Sequence, residues 1–312
     1  MAYPSSIMGI IKEFNIDCDK KYGQCFLIDN NALDKIAESA GIEKTDLVIE
    51  IGSGPGNLTA RLASAAAFVI AFETDRNLFK IYDKYFNGSN ASFHQLDFLK
   101  ADLAMVISET AAANNIKYDK IKVVANIPYY ITSQIIEKIL YSGVRFTDVY
   151  LLMQRDVAER IAARPSTKAY GILSVACALK SKPSIIQKIP STCFYPAPDV
   201  ESALVRLEPF ERTAGEDFSE EIFFAIVKSA FNQRRKVAVS AIANNIGRLG
   251  EINGYDGLFV EFLKKSALKH IFTGIFENIG LSALARAEEI SCEDYILIAR
   301  ELGGHYRLSG LK

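Results

Sequence analysis

Between Leu47 and Leu207 short apolar runs alternate with amphipathic stretches, and that alternation predicts a parallel sheet with helices between its strands. Leu47-Val48-Ile49-Glu50-Ile51 reads as a first strand and Phe68-Val69-Ile70-Ala71-Phe72-Glu73 as a second. A short third covers residues 91–95, a fourth 121–125 and a fifth 148–153. Asp29 caps an expected helix running to Ala40, with Leu33, Ile36, Ala37 and Ala40 at helical spacing and Gly41 at its end. A further helix is expected over 57–65, and Asp75 opens the next. Residues 184–189 and 202–207 flank a proline-rich loop, which predicts an antiparallel hairpin closing one sheet edge.

Around 209–217 the composition turns polar, and a domain boundary is expected there. Beyond it the periodicity is helical. Ile222, Phe223, Ile226, Val227, Ala230 and Phe231 form one apolar stripe; Leu258, Phe259, Phe262 and Leu263 form another; Tyr295, Ile296, Ile298 and Ala299 mark a last helix. The chain therefore divides into an arm (1–28), an α/β domain (29–209) and a small all-helical C-terminal domain (218–312). No internal repeat interrupts this order.

The 312 residues, 49% hydrophobic and 23% charged with a net charge of -1, describe an ordinary globular protein. No global positive field announces a nucleic-acid partner, so any such contact has to come from local patches. The 5 cysteines are odd in number and form no CxxC pair, and there are only 3 histidines. Neither a disulfide framework nor a metal site is expected. The start lacks a basic segment followed by an apolar core, and no apolar run is long enough to span a bilayer. The expectation is a cytoplasmic protein without a membrane partner. The absence of a long heptad pattern favours a monomer.

The chemistry-bearing residues fall at strand ends. Gly52-Ser53-Gly54-Pro55-Gly56 follows the first strand and precedes a helix, where small residues allow close approach of a ligand to free backbone N–H groups. The spacing is G-x-G-x-G, not the G-x-G-x-x-G of dinucleotide sites, and Pro55 removes one donor; a dehydrogenase is disfavoured. Glu73 ends the second strand, where an acid can accept the ribose hydroxyls of a dinucleotide or of S-adenosylmethionine. Asp97 follows the third, suited to an adenine amine or to capping a helix. Asn126-Ile127-Pro128-Tyr129 ends the fourth: a carboxamide, exposed carbonyls and a flat ring, together suited to a planar base carrying an NH2 group.

These motifs resemble those of the adenine-N6,N6-dimethyltransferases of small-subunit ribosomal RNA, the KsgA type, over nearly the full length. The pieces are Tyr22-Gly23-Gln24-Cys25-Phe26-Leu27, the stretch from Glu50 to Thr59, Glu73, Asp97, Asn126-Ile127-Pro128-Tyr129, the stretch from Phe194 to Ser202, and Ala230-Phe231-Asn232-Gln233-Arg234-Arg235-Lys236. The resemblance implies a Rossmann-like class I methyltransferase domain with a helical domain after it. It implies S-adenosylmethionine as methyl donor and two adjacent adenines near the 3′ end of 16S rRNA as substrate, with a role in small-subunit biogenesis. Cofactor contacts are expected from Cys25, Leu27, Gly52, Gly54, Glu73, Asp97 and Asn126. Base contacts are expected from Asn126, Ile127 and Tyr129, with Phe194 as a second stacking ring or as hairpin packing. The family usually has Asn or His where this chain has Cys25; a thiol is a poor hydrogen-bonding group, so either the backbone carries that contact or cofactor affinity is lower here.

For RNA, Arg234, Arg235 and Lys236 are the chosen phosphate contacts, with Lys20, Lys21, Arg155, Arg160, Arg164 and Lys168 as weaker candidates. The nearest alternative is the class that methylates a 23S rRNA adenine and confers macrolide resistance. A non-catalytic ribosome-assembly factor is a second alternative, and the presence of Glu73, Asp97 and Asn126 argues against it.

Overall fold

In the computed structural model, which describes residues 3, 4, 6–16, 25–210, 219–252 and 265–308, the first elements are α1 (Ile7–Glu13), β1 (Phe26–Leu27) and α2 (Asn30–Ser39). Asp29 caps α2 as expected, its Oδ1 accepting from Ala32 N at 2.8 Å. Then follow β2 (Asp46–Ile51), α3 (Asn57–Ala65), β3 (Phe68–Glu73), α4 (Phe79–Tyr85), β4 (Ala91–Gln95), α5 (Leu103–Ala113), β5 (Lys120–Asn126), α6 (Thr132–Tyr141), β6 (Asp148–Gln154) and α7 (Arg155–Ile161). After α8 (Ile172–Lys180) come β7 (Ser181–Ile189), β8 (Phe194–Tyr195) and β9 (Ser202–Pro209).

One sheet has the order β4-β3-β2-β5-β6-β9-β7. Its β4, β3, β2, β5 and β6 pair in parallel, while β9 runs antiparallel to both β6 and β7. This is the Rossmann-like methyltransferase arrangement with its antiparallel edge hairpin. β2 and β3 are buried at every position, which is why they read as unbroken apolar runs. The chain order reverses between β2 and β5, and in open α/β sheets ligands bind outside the carboxyl ends at such a point.

At the opposite, amino end of the sheet Lys122 and Asp46 form a buried ion pair, Nζ to Oδ2 at 2.8 Å, with side chains 6% and 0% exposed. Lys122 also donates to the carbonyls of Ala40 (3.2 Å) and Gly41 (2.6 Å), and Glu43 N donates to Asp46 at 2.9 Å. Removing one partner strands the other charge in a dry site. Lys122→Met is expected to lower unfolding free energy by about 3–5 kcal/mol, measured by urea denaturation; a loss under about 1 kcal/mol contradicts this role.

The structure revises two parts of the linear division. First, residues 3, 4, 6–16 and 25–28 are built into the first unit. Ile7, Ile10 and Ile11 of α1 pack in one cluster with Phe26, Leu78, Ile81, Tyr82 and Phe86. The arm expected over 1–28 is thus a packed edge of the α/β unit wherever it is described. Second, the chain divides into Met1–Ala162 with Ser181–Phe210, and Ala163–Lys180 with Glu211–Lys312. The physical reason is that Tyr170, Val175 and Leu179 share a core with the C-terminal helices.

In that second unit α9 (Glu220–Asn232), α10 (Ala238–Ile252), α11 (Lys265–Asn278) and α12 (Cys292–Leu308) complete the helical set. Phe223, Ile226 and Ala230 of α9 meet Ile242, Phe272, Phe276, Tyr295 and Ile298 in the core. The stripe expected on α12 is buried, and that on α9 is buried at Phe223, Ile226, Val227 and Ala230 with Ile222 and Phe231 partly buried against the same core. The stripe at Leu258, Phe259, Phe262 and Leu263 lies outside the described residues.

Candidate active site

The glycine loop and the end of β5 meet at the reversal point. Gly52 has φ +71°, and a Cβ there would sit 3.6 Å from Pro128 Cδ and 3.8 Å from Asn126 O. A side chain would therefore fill the gap between the two motifs, and glycine keeps that gap open. The rest of the loop is braced from behind. Tyr82 OH donates to Gly54 O at 2.5 Å and lies 3.0 Å from Ser53 Oγ; Tyr3 OH donates to Pro55 O at 2.9 Å. A Cβ on Gly56, which has φ +91°, would come within 2.8 Å of Phe86.

Glu73 faces this loop. Its Oε2 accepts from Gly54 N at 3.0 Å, and its Oε1 accepts from Thr74 N at 2.7 Å and Asp75 N at 2.9 Å. Burial pushes its carboxyl above the usual range, while these backbone donors work the other way. After three bonds the carboxylate still has acceptor capacity for a hydroxyl. Leu96 N donates to Glu73 O at 3.2 Å, which ties the end of β4 to the end of β3. Asp97 follows directly, and its Oδ1 caps a short 3-10 turn by accepting from Leu99 N at 3.0 Å. The capping reading of Asp97 is thus realised, with Oδ2 pointing elsewhere, 3.9 Å from Lys100 Nζ.

Asn126 is oriented by its neighbour across the gap. Its Nδ2 donates to Cys25 O at 3.4 Å, which directs Oδ1 away as an acceptor. At position 25 the backbone carbonyl thus meets Asn126, and the thiol takes no part in that bond. Burial raises the Cys25 thiol, with Asp199 adding to it, so this is no activated nucleophile. Leu27 holds a related position: its carbonyl accepts from Asn57 Nδ2 at the start of α3. The Tyr22-Gly23-Gln24 part of that motif, with Lys20 and Lys21, lies outside the described residues.

Beyond Asn126 the carbonyls are unequally used. Pro128 O accepts from Ile131 N at 3.4 Å, and Tyr129 O accepts from Thr132 Oγ1 at 3.1 Å. The Ile127 carbonyl accepts no hydrogen bond among the described residues, although its N–H is bound to Leu152 O at 3.2 Å. Asn126 Oδ1 and Ile127 O thus form a pair of acceptors at one strand end. Tyr129 is half-buried beside them, its hydroxyl 2.6 Å from Ser202 Oγ. The next residue, Tyr130, is 65% exposed.

Two expected contributors are committed within the protein, Phe194 by the hairpin-packing alternative. Phe194 is 3% exposed and belongs to the cluster with Leu27, Leu33, Leu58 and Leu204. Its ring is a packing residue on the β1–β8 ladder, where Leu27 faces Phe194, and it offers no open second stacking face. Arg234 is also committed: Nε to Glu288 at 2.6 Å and NH2 to Lys168 O at 2.8 Å. Arg235 and Lys236 are exposed. Arg155 is paired with both Glu159 (2.8 Å) and Glu201 (2.5 Å), which spends its charge within the protein.

Nothing in the sequence marked the braces Tyr3 and Tyr82, and Ser202 and Glu50 stood in motif stretches without a role of their own. Glu50 lies on β2, 1% exposed, and its Oε2 has no hydrogen-bond partner among the described residues. Burial pushes its carboxyl up to about 8; the Thr59 hydroxyl opposes this and Glu73 adds to it. A folded-state value above the unfolded 4.5 means that the unfolded chain releases this proton first. Stability is therefore unaffected by Glu50 below 4.5, falls as pH rises from 4.5 towards 8, and levels off above. Each pH unit in that window costs up to about 1.4 kcal/mol. Glu50→Gln is expected to gain on wild type between pH 5 and 8 in urea titrations (about these limits, from the linkage relation); parallel curves would count against the buried neutral acid.

A Rossmann-like sheet thus carries a glycine loop, a strand-end carboxylate and a pair of acceptors around its reversal point. A family model described as ribosomal RNA adenine dimethylase matches residues 16–252. The chain belongs to the ribosomal RNA adenine dimethylase family, and is an enzyme of that class. It is 40% identical over 303 residues to the ribosomal RNA small subunit methyltransferase A of Lactiplantibacillus plantarum, covering 97% of this chain and 96% of the relative. Identity to the protein of the same name from Streptococcus sanguinis is 37% over 294 residues, covering 94% of both. Among solved structures, a dimethyladenosine transferase from Plasmodium falciparum matches with TM-score 0.68 at 22% identity, covering 91% of this chain and 98% of that one. The 23S rRNA methyltransferase ErmE matches with TM-score 0.62 at 20% identity, covering 89% and 99%. Both likenesses are to the fold.

Proposed function

We propose that this chain transfers methyl groups from S-adenosylmethionine to N6 of two adjacent adenines near the 3′ end of 16S rRNA, during assembly of the small ribosomal subunit. The observation that carries it is the acceptor pair at the end of β5: Asn126 Oδ1, turned outward by the Cys25 carbonyl, and the Ile127 carbonyl. An adenine amine has two N–H donors and a lone pair delocalised into the ring. Accepting both hydrogens favours a pyramidal nitrogen and stabilises the positive charge that develops as the new bond forms.

The residues present fit the methyl donor. Gly52 leaves the gap beside Asn126 and Pro128, and Glu73 offers a fixed carboxylate for a ribose hydroxyl. Cys25 through its backbone, Leu27, Gly54 and Asp97 complete the expected cofactor contacts. When bound, the donor supplies a sulfonium methyl, already strongly electrophilic. The protein's task is then alignment, for which effective molarities reach about 10⁵–10⁸ M. Tyr129 offers a stacking plane to an extruded adenine, worth about 1–3 kcal/mol. Arg235 and Lys236 serve as phosphate contacts, with Arg234 a structural tie beside them. The protein works as a cytoplasmic monomer; no described helix is long and apolar enough to cross a membrane.

The test offers labelled donor with unmethylated small subunits and, separately, large-subunit RNA. Label in the small subunit alone is expected. Label in large-subunit RNA alone moves the chain to the resistance class, and binding without label moves it to a non-catalytic assembly role.

A further inference from the structure

Tyr129 is held at both ends. Its backbone lies in a 3-10 turn closed by Ile131 N to Pro128 O at 3.4 Å, and its carbonyl accepts from Thr132 Oγ1 at 3.1 Å. Its ring tip is fixed by the Ser202 hydroxyl at 2.6 Å, either group being able to donate. Ser202 is 0% exposed and opens β9, where its backbone is paired with Gln154 on one side and Ile189 on the other. The serine is therefore mounted on two strands of the sheet, while its hydroxyl plays no part in the ladder. Phe194 is packed in the core, so of the two rings expected at the base Tyr129 is the one left half-buried at the end of β5.

We propose that Ser202 is a positioning residue that locks the Tyr129 ring as a fixed stacking plane for the target adenine. This rests on the base-methylating reading of the site. A tyrosine free at its tip samples several ring orientations, and an adenine stacked on it would share that freedom. Fixing the tip before RNA arrives removes that ordering step from the encounter and sets the base plane relative to Asn126 Oδ1 and Ile127 O. The hydroxyl pair acts as a unit, so deleting either half undoes the lock.

The experiment is a double-mutant cycle on the full chain with unmethylated small subunits: wild type, Tyr129→Phe, Ser202→Ala and the double variant. The readouts are kcat and KM for subunits, the calorimetric dissociation constant for S-adenosylmethionine, and thermal melting. Each single variant is expected to lose about tenfold in kcat/KM for the subunit. Donor affinity is expected to stay within about twofold, and the double variant to be no worse than the singles. A merely structural serine would lower melting and leave the cycle additive. Losses that multiply in the double variant overturn the proposal, as does unchanged turnover in Tyr129→Phe, which deletes only the hydroxyl and serves if Ser202→Ala melts too low. Wild type that transfers no methyl overturns the functional reading and this proposal with it. Active wild type with unaffected variants overturns this proposal alone.

Discussion

Asn126→Ala is expected to lower methyl transfer by about 10²–10³-fold, the range for deleting one preorganised polar contact to charge developing in a transition state. The variant loses two things at once. The acceptor Oδ1 disappears from one N–H of the adenine amine, leaving Ile127 O as the remaining acceptor. The Nδ2 bond to Cys25 O (3.4 Å) also disappears, and with it the tie between the end of β5 and the segment leading into β1. Donor binding is expected to weaken through this second loss. Single-turnover rates at saturating donor separate the two effects, because the rate defect persists when the affinity defect is titrated away. Near-normal turnover would remove Asn126 from the chemistry.

Glu73→Ala is expected to weaken donor affinity by about 10²-fold, on the scale of one or two charge-assisted hydrogen bonds. Its carboxylate accepts from Gly54, Thr74 and Asp75, so the side chain shapes the glycine loop as well as facing the ligand. Truncation leaves those N–H groups short of an acceptor. Glu73→Gln keeps one acceptor oxygen and is expected to fall between wild type and alanine. Calorimetry checks the series; equal affinities across it would mean that Glu73 is only a loop brace.

The parallel strands were legible because each is a local signal: an apolar run, then a glycine or polar residue at its carboxyl end. Gly52, Glu73, Asp97 and Asn126 stood out together because all four fall at such strand ends. Partners distant in sequence were not legible. Nothing near Arg234 announces Glu288, so the basic run read as three free cations, whereas one is an internal tie. Phe194 is an apolar residue in a functional motif, and its pattern alone cannot say whether its ring faces the core or the ligand. The membership of α8 was hidden for a similar reason: Val175 and Leu179 would suit either core, and the chain returns to the sheet at Ser181. Ile7, Ile10 and Ile11 do carry a helical spacing, but the charged residues after them made the whole segment read as an arm.

On the proposed reading the end of β5 presents each of two adenine amines to a methyl donor twice. The most direct measurement is mass-spectrometric identification of the modified nucleosides in small-subunit RNA after exhaustive reaction, with their positions mapped by primer extension. N6,N6-dimethyladenosine is expected at two neighbouring positions near the 3′ end of 16S rRNA. Methylation confined to another atom, another base or the large-subunit RNA would contradict it.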